Sequence, residues 1–323
     1  MNSIEEIAGA IKRLKSAVIF CHTRPDGDAL GSALALSRAL SLLKIKNQVV
    51  NDTEIPERYL FLEGIERIQR FPTLDAEGYL CVDSSDENRF GELTKTFLKG
   101  AKKGKVTVNI DHHISNTRYC QYNFVRERSS NCENVADLIE VLGVEEDVLI
   151  ANYLMTGIIT DSGVFSHSDV DSGTFRAAAK AVEIGADVNA ITYNAIRKQT
   201  KARAEMYLKV LGGLRYLLDD KLVIAVVPQA LLDEYGLKSD ATEGIVDFGL
   251  TIDTVEVSVC LMESKKGQYK ASFRSKGKVD VNAIAGIYGG GGHVLASGCM
   301  FFGGIEEIID KLRYAVWQHL GEA

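Results

Sequence analysis

Through the first 125 residues, apolar runs of strand length alternate with helix-length stretches, and the runs end in histidine or aspartate. AVIFC (17–21) leads into His22, Asp26 and Asp28, YLCV (79–82) into Asp83, and VTVNI (106–110) into Asp111, His112 and His113. NQVVN (47–51) reads as a further strand, and RYCQYNFV (118–125) as one more at an edge. Helical spacing over 28–43 puts Ala29, Ala33, Leu36, Leu40 and Leu43 on one face, and 90–102 is also helical. The alternation predicts an α/β fold, with a mostly parallel N-terminal sheet flanked by helices. In such a sheet, polar groups at the carboxyl ends of neighbouring strands converge on one crevice.

Helices dominate after residue 130, over 131–142, 146–160 and 172–184. The second of these helices runs into a fourth such stretch, TGIITDSG (156–163), and ends in Asp161. The charged run 199–218 is expected to be a linking helix. A smaller C-terminal α/β domain follows, with strands over 221–228, 255–264 and 268–275 and a closing amphipathic helix over 305–320. The expected boundaries are 1–195 for the first domain, 196–218 for the linker and 219–323 for the second domain.

Several carboxylates in one crevice need a counter-charge. Two like charges 4 Å apart repel by roughly 4 kcal/mol at an effective dielectric of 20. Divalent cations would turn that repulsion into binding. One histidine among hard carboxylates suits manganese, then magnesium; zinc prefers more His or Cys. Singly, each residue has a plainer reading. Asp28 can be a helix cap and Asp26 a turn residue, with Pro25 holding Arg24 extended and Gly27 permitting the turn. Asp83 can be a turn former. The pair His112–His113 is harder to dismiss, because adjacent residues after a strand point in different directions. Asp161 stands at a helix C-terminus, where an anion is disfavoured and a cation would compensate. In the second domain the four glycines 289–292 before His293 can form either a hairpin connection or an anion-binding nest, and Arg274 is suited to gripping phosphate. Lys276 and Lys278, with Arg24, Arg126, Arg128, Lys201 and Arg203 elsewhere, are weaker candidates for phosphate contacts.

The net charge of −7 argues against a grip on long duplex nucleic acid, though not against a short nucleotide substrate. No window has the 18 or more consecutive apolar residues of a membrane span, and MNSIEEIAGAIKRLKS lacks a signal-peptide pattern. Six scattered cysteines without C-x-x-C read as reduced, which points to the cytoplasm. No G-x-S-x-G or P-loop signature is present.

HTRPDGDALGS, VDSSD, DHH at 111–113 and GIITDSG together resemble the DHH phosphoesterase superfamily, and 273–298 resembles its DHH-associated domain. Within that superfamily the chain is most similar to the nanoRNase/pAp phosphatase type. The resemblance implies two divalent ions, Mn2+ first and Mg2+ or Co2+ otherwise. His22, Asp26 and Asp83 would hold one, and Asp28, Asp83, His112 and Asp161 the other. Asp83 and His113 would be catalytic, and Asp111 would orient a histidine. Arg274, Ser275, Gly290, Gly291, Gly292 and His293 would bind the rest of the substrate. The implied reactions are hydrolysis of short oligoribonucleotides to 5′-mononucleotides, and of 3′-phosphoadenosine 5′-phosphate (pAp) to AMP and phosphate. Cleavage of linear or cyclic dinucleotides such as pApA is the alternative. The resemblance implies no membrane partner and leaves a homodimer open. One departure is Asn131, where these proteins commonly carry threonine after paired serines; asparagine can still cap a helix, so little consequence is expected.

Overall fold

The computed structural model describes residues 2–321, and the chain divides into two compact units between Lys198 and Gln199. The first unit is built on five strands: β1 (Ser16–Phe20), β2 (Lys46–Val50), β3 (Gly78–Val82), β4 (Val106–Asp111) and β5 (Tyr122–Val125). Their order is β2-β1-β3-β4-β5 and every pairing is parallel. The helices are α1 (Ile4–Lys12), α2 (Gly27–Leu42), α3 (Thr94–Lys102), α4 (Asn131–Leu142), α5 (Val148–Asp161), α6 (Ser172–Ile184) and α7 (Val188–Thr192).

The period-2 alternation of β1 divides its side chains between two cores. Ala17 and Ile19 join the core under α1, α2, α4 and α5, while Val18 and Phe20 join an aromatic cluster with Tyr79, Phe90 and Phe97 on the other face. Both faces are therefore covered, as a parallel sheet requires. Strand order reverses between β1 and β3, the switch point at which a crevice opens beyond the carboxyl ends. Phe20 pairs with Cys81 and Cys81 with Asn109, so two residues further on the register brings His22, Asp83 and Asp111 side by side.

The second unit contains α8 (Lys201–Gly212), β6 (Arg215–Leu217), β7 (Leu222–Val227), α9 (Gln229–Glu234), α10 (Ile245–Leu250), β8 (Val257–Lys265) and β9 (Gln268–Ser275). It ends with α11 (Val281–Ile287), β10 (Gly291–His293), β11 (Ala296–Phe302) and α12 (Ile305–Leu320). The six strands form one mixed sheet, ordered β10-β11-β9-β8-β7-β6. α12 buries Ile308, Ile309, Leu312, Ala315 and Val316, an apolar stripe at helical spacing.

Three expectations need correction. The helix expected over 90–102 is a 3-10 segment (Glu87–Leu93) followed by α3, broken where Gly91 takes φ 60°. The edge strand is shorter than 118–125, because Arg118 turns into the left-handed region and pairing begins at Tyr122. The helical run 199–218 stops at Gly212, and Arg215–Leu217 pairs antiparallel with β7. Among the described residues, no helix is long and apolar enough to cross a membrane.

Candidate active site

The crevice beyond β1 and β3 gathers eight of the predicted residues. His22 follows β1 by two positions, and its Nδ1 bonds the Thr23 carbonyl (2.9 Å), which leaves Nε2 facing inward. Asn51 braces the loop by donating to the His22 carbonyl (2.7 Å), and Thr53 accepts the Arg24 N–H (2.8 Å). That anchoring gives Arg24 a left-handed φ of 53°, rather than the extended conformation expected before Pro25. Asp26, not Asp28, is the cap of α2: its Oδ1 accepts from the Asp28 and Ala29 N–H groups. Its Oδ2 remains 3.7 Å from His22 Nε2. Asp28 lies on the first turn of α2, almost fully buried.

Asp83 is the centre of the arrangement. It is 2% exposed, and the chain turns at it with φ 51°, a conformation aspartate tolerates better than most residues. Its Oδ2 is 3.4 Å from His22 Nε2 and its Oδ1 3.4 Å from His112 Nε2. His112 Nε2 also lies 3.5 Å from Asp161 Oδ2 and 3.9 Å from Asp28 Oδ2. His112 Nδ1 bonds the Arg128 carbonyl (2.9 Å), so this ring too presents Nε2. Asp161 sits at the last position of α5, and its own carbonyl is bonded by the His167 ring (2.7 Å).

His113 behaves differently. Its Nδ1 bonds Asp111 Oδ1 at 2.8 Å, and Asp111 is fully buried with Oδ2 accepting from Asn116 (2.6 Å). Asp111 thus orients His113, whose Nδ1 is also 3.7 Å from Asp83 Oδ1.

The electrostatics are those of a charge-crowded pocket. Burial pushes Asp28 up to about 7 and Asp161 up to about 8, with neighbouring carboxylates adding to it. Burial alone would lower His22 and His112, but Asp26 and Asp83 raise the first to about 10, and Asp83 and Asp28 raise the second to about 11. Asp83 is held well below the usual carboxylate range by His112 and His22, against the effect of burial. Without a cation, protons must neutralise this cluster.

The residues fit divalent metal. Two ligand sets, His22–Asp26–Asp83 and Asp28–His112–Asp161, each have donor atoms within 4.8 Å of one another. A third grouping of that kind joins Asp83, His112 and His113. The buried Asp83 Oδ1 has no hydrogen-bond partner, an orphan that a cation would satisfy. Both histidines have Nδ1 engaged by a carbonyl, the arrangement that fixes Nε2 as a ligand atom.

In the second unit the glycine run takes the hairpin alternative. The 289–292 run is not an anion nest: the N–H groups of Gly289, Gly290 and Gly292 bond Gly286 O, Ala285 O and Asn282 Oδ1. Gly291–His293 is a strand paired with β11, and His293 is exposed. Arg274 Nε bonds Asp247 (2.8 Å), and Ser275 Oγ accepts the Gly277 N–H (3.0 Å). Several other basic candidates have protein partners: Arg126 and Arg128 meet Asp137, Lys201 meets Glu205, and Arg203 bonds the carbonyls of Ala241 and Glu243.

Asn51, Thr53, Asn116 and the backbone of Asn131 and Cys132 support the site, yet nothing in the linear sequence marks them. Asn51, Thr53 and the α4 amides act on partners 29 to 104 residues away, and Asn116 from the loop five residues past Asp111. Asn131 is also not the cap expected; Ser130 is, and its N–H donates to the Glu133 carboxylate (3.2 Å).

The chain is similar to known proteins over both units. Residues 16–158 match the DHH family, N-terminal domain, and residues 219–321 match the DHHA1 domain. A bifunctional oligoribonuclease and PAP phosphatase NrnA of Thermus thermophilus is 28% identical across 98% of this chain and 94% of its own length. A probable enzyme of the same name from Streptococcus mutans is 26% identical across 92% and 93%. The structure of an exopolyphosphatase-related protein from Bacteroides fragilis superposes with a TM-score of 0.88 at 25% identity, covering 98% of this chain and 96% of that one.

Proposed function

The chain belongs to the DHH phosphoesterase family, and we propose that it uses two divalent cations, Mn2+ by preference, to hydrolyse short oligoribonucleotides and pAp. The products are 5′-mononucleotides from the first, and AMP and phosphate from the second. The observation that carries this reading is Asp83, whose two oxygens face two separate His/Asp sets. His22, Asp26 and Asp83 hold one cation; Asp28, Asp83, His112 and Asp161 hold the other. Four carboxylates against two dications leave the centre near neutral, and imidazole with hard oxygens suits manganese. When bound, the cations supply positive charge to the phosphoryl oxygens and acidify water.

The chain's own residues do the rest. Asp111 accepts from His113 Nδ1, which leaves Nε2 as the ring atom for the substrate, donating to a phosphoryl or leaving oxygen when the ring is an imidazolium. For Arg274, Ser275, Gly290, Gly291, Gly292 and His293 we propose contacts with the remainder of the nucleotide. All six cysteines are unpaired and buried, which supports a cytoplasmic setting.

The test is an assay of pAp, pApA, a short RNA and pyrophosphate with Mn2+, with products separated by chromatography. Turnover of pAp and short RNA, with pyrophosphate untouched and EDTA abolishing both activities, is expected. Turnover of pyrophosphate alone would replace the substrate class. Asp83→Asn should reduce activity beyond the 10–100-fold typical of losing an outer partner of a metal ligand. Near-normal turnover in that variant removes the bridging role.

A further inference from the structure

Asp28 differs from the other carboxylates of the crevice in what holds it. Its Oδ2 accepts the N–H of Asn131 at 2.5 Å and its Oδ1 the N–H of Cys132 at 2.8 Å. These are the first two residues of the 12-residue helix α4, whose opening N–H groups have no acceptor within the helix. They lie at its positive end. A side chain from α2 therefore fills the place where a helix ordinarily receives an anion. The same Asp28 Oδ2 is 3.9 Å from His112 Nε2, and Asp28 belongs with His112 and Asp161 to one metal-competent set. Asn131 adds a second tie: its Nδ2 donates to Ser32 Oγ (3.1 Å), one turn along α2 from Asp28.

We propose that the first turn of α4 is the positioning element of the second cation seat, with the Asn131 backbone N–H as the group that aims Asp28. This rests on the two-cation reading above. A deprotonated Asp28 meets like charge from Asp83 and Asp161. Two N–H bonds from a rigid helix end hold both its oxygens in place, whether protons or cations neutralise the cluster. The identity of the side chain at 131 matters less than the presence of its N–H, which is why asparagine serves where threonine is usual.

Asn131→Pro deletes that N–H. Proline is favoured at the first helical position, and Ser130 before it is already extended (φ −147°, ψ 153°), as a residue preceding proline must be. Asn131→Ala keeps the N–H while losing the bond to Ser32, so it is the control. Mn2+ is titrated by calorimetry into the metal-free full-length protein. Wild type and Asn131→Ala should bind two ions alike, and Asn131→Pro should bind one unchanged and the other at least tenfold more weakly, the scale of losing an outer-shell partner. Equal binding by the proline and alanine variants overturns the proposal. Fewer than two ions on the wild type overturns the two-cation reading instead. Should the proline variant not fold, 15N-asparagine-labelled wild type decides. Its Asn131 amide, assigned by its absence from Asn131→Ala, should shift at Mg2+ concentrations that raise the melting temperature, while Asn282 in the second unit stays fixed. An unmoved Asn131 resonance overturns the proposal.

Discussion

Asp83, His22, His112, Asp28 and Asp161 form one electrostatic unit, and their proton affinities all bear on stability. Folded His22 and His112 hold protons to about 10 and about 11, against an ordinary 6.5. Folded Asp28 and Asp161 hold them to about 7 and about 8, against 3.8. In all four cases the folded chain binds the proton more tightly than the unfolded chain. Their stabilising contribution is complete below the unfolded values and is lost as pH rises through the folded ones. Asp83 has the opposite sign, but its contribution is already complete above its unfolded value and stays constant in this window. The melting temperature of EDTA-treated protein should therefore fall from pH 5 to pH 9. Adding Mn2+ should release protons, measured by calorimetry in buffers of different ionisation enthalpy, because ligands must be deprotonated to bind. A flat melting profile with no proton release would show that the cluster is not charge-crowded. The residues that gather in the crevice were legible because they stand just past an apolar run, at the start of the helix that follows one, or at a helix end. The groups that aim them were not. Asn116, Asn51 and the α4 amides act through hydrogen bonds whose partners are 5, 29 and 103 residues away.

α2 and α5 carry Asp28 and Asp161, and their close approach sets the spacing of the second ligand set. A Cβ on Gly157 would overlap both Cys132 Sγ and the Asp28 carboxylate, and one on Gly31 would overlap the Tyr153 carbonyl. Gly157→Ala should therefore destabilise by about 1–3 kcal/mol through overpacking, although alanine is the better helix former. Gly9→Ala in α1 meets nothing nearer than the flexible end of Arg13, at 3.7 Å. That change should stabilise by roughly 0.5–1 kcal/mol. Denaturant titration of both variants separates the packing effect from propensity; equal shifts would deny the tight contact. Helices whose apolar stripe alone decides them were legible, among them 131–142 and 305–320. Those ended by a tertiary contact were not. The break at Gly91 follows from space, since a Cβ there would overlap the Asp52 carboxylate and Thr23. The strand β10 was hidden for another reason. A glycine run shows no side-chain alternation, so its pairing with Ala296–Gly298 has no period to detect.

Among the described residues the metal-competent sets lie in the first unit, and each unit has its own core. The first is centred on residues such as Ile19, Leu80 and Ile158, and the second on Ile224, Phe273 and Leu312. A cation binds the folded first unit and not its unfolded chain, so it stabilises that unit by mass action, about 2.7 kcal/mol at a free concentration 100 times Kd. For a domain of this size that corresponds to a rise of roughly 5–10 °C in melting temperature. The second unit has no such ligand and gains nothing. The sole tryptophan, Trp317 on α12, lies in the second unit with the Tyr314 ring 6.0 Å away, so its emission reports on that unit. Calorimetry of the full chain should resolve two transitions, of which Mn2+ raises one. The transition followed by Trp317 emission should stay where it is. If Mn2+ instead raises the Trp317 transition by the same amount, the two cores melt as a single cooperative body, and stabilisation gained at Asp83 reaches residues that no ligand set touches.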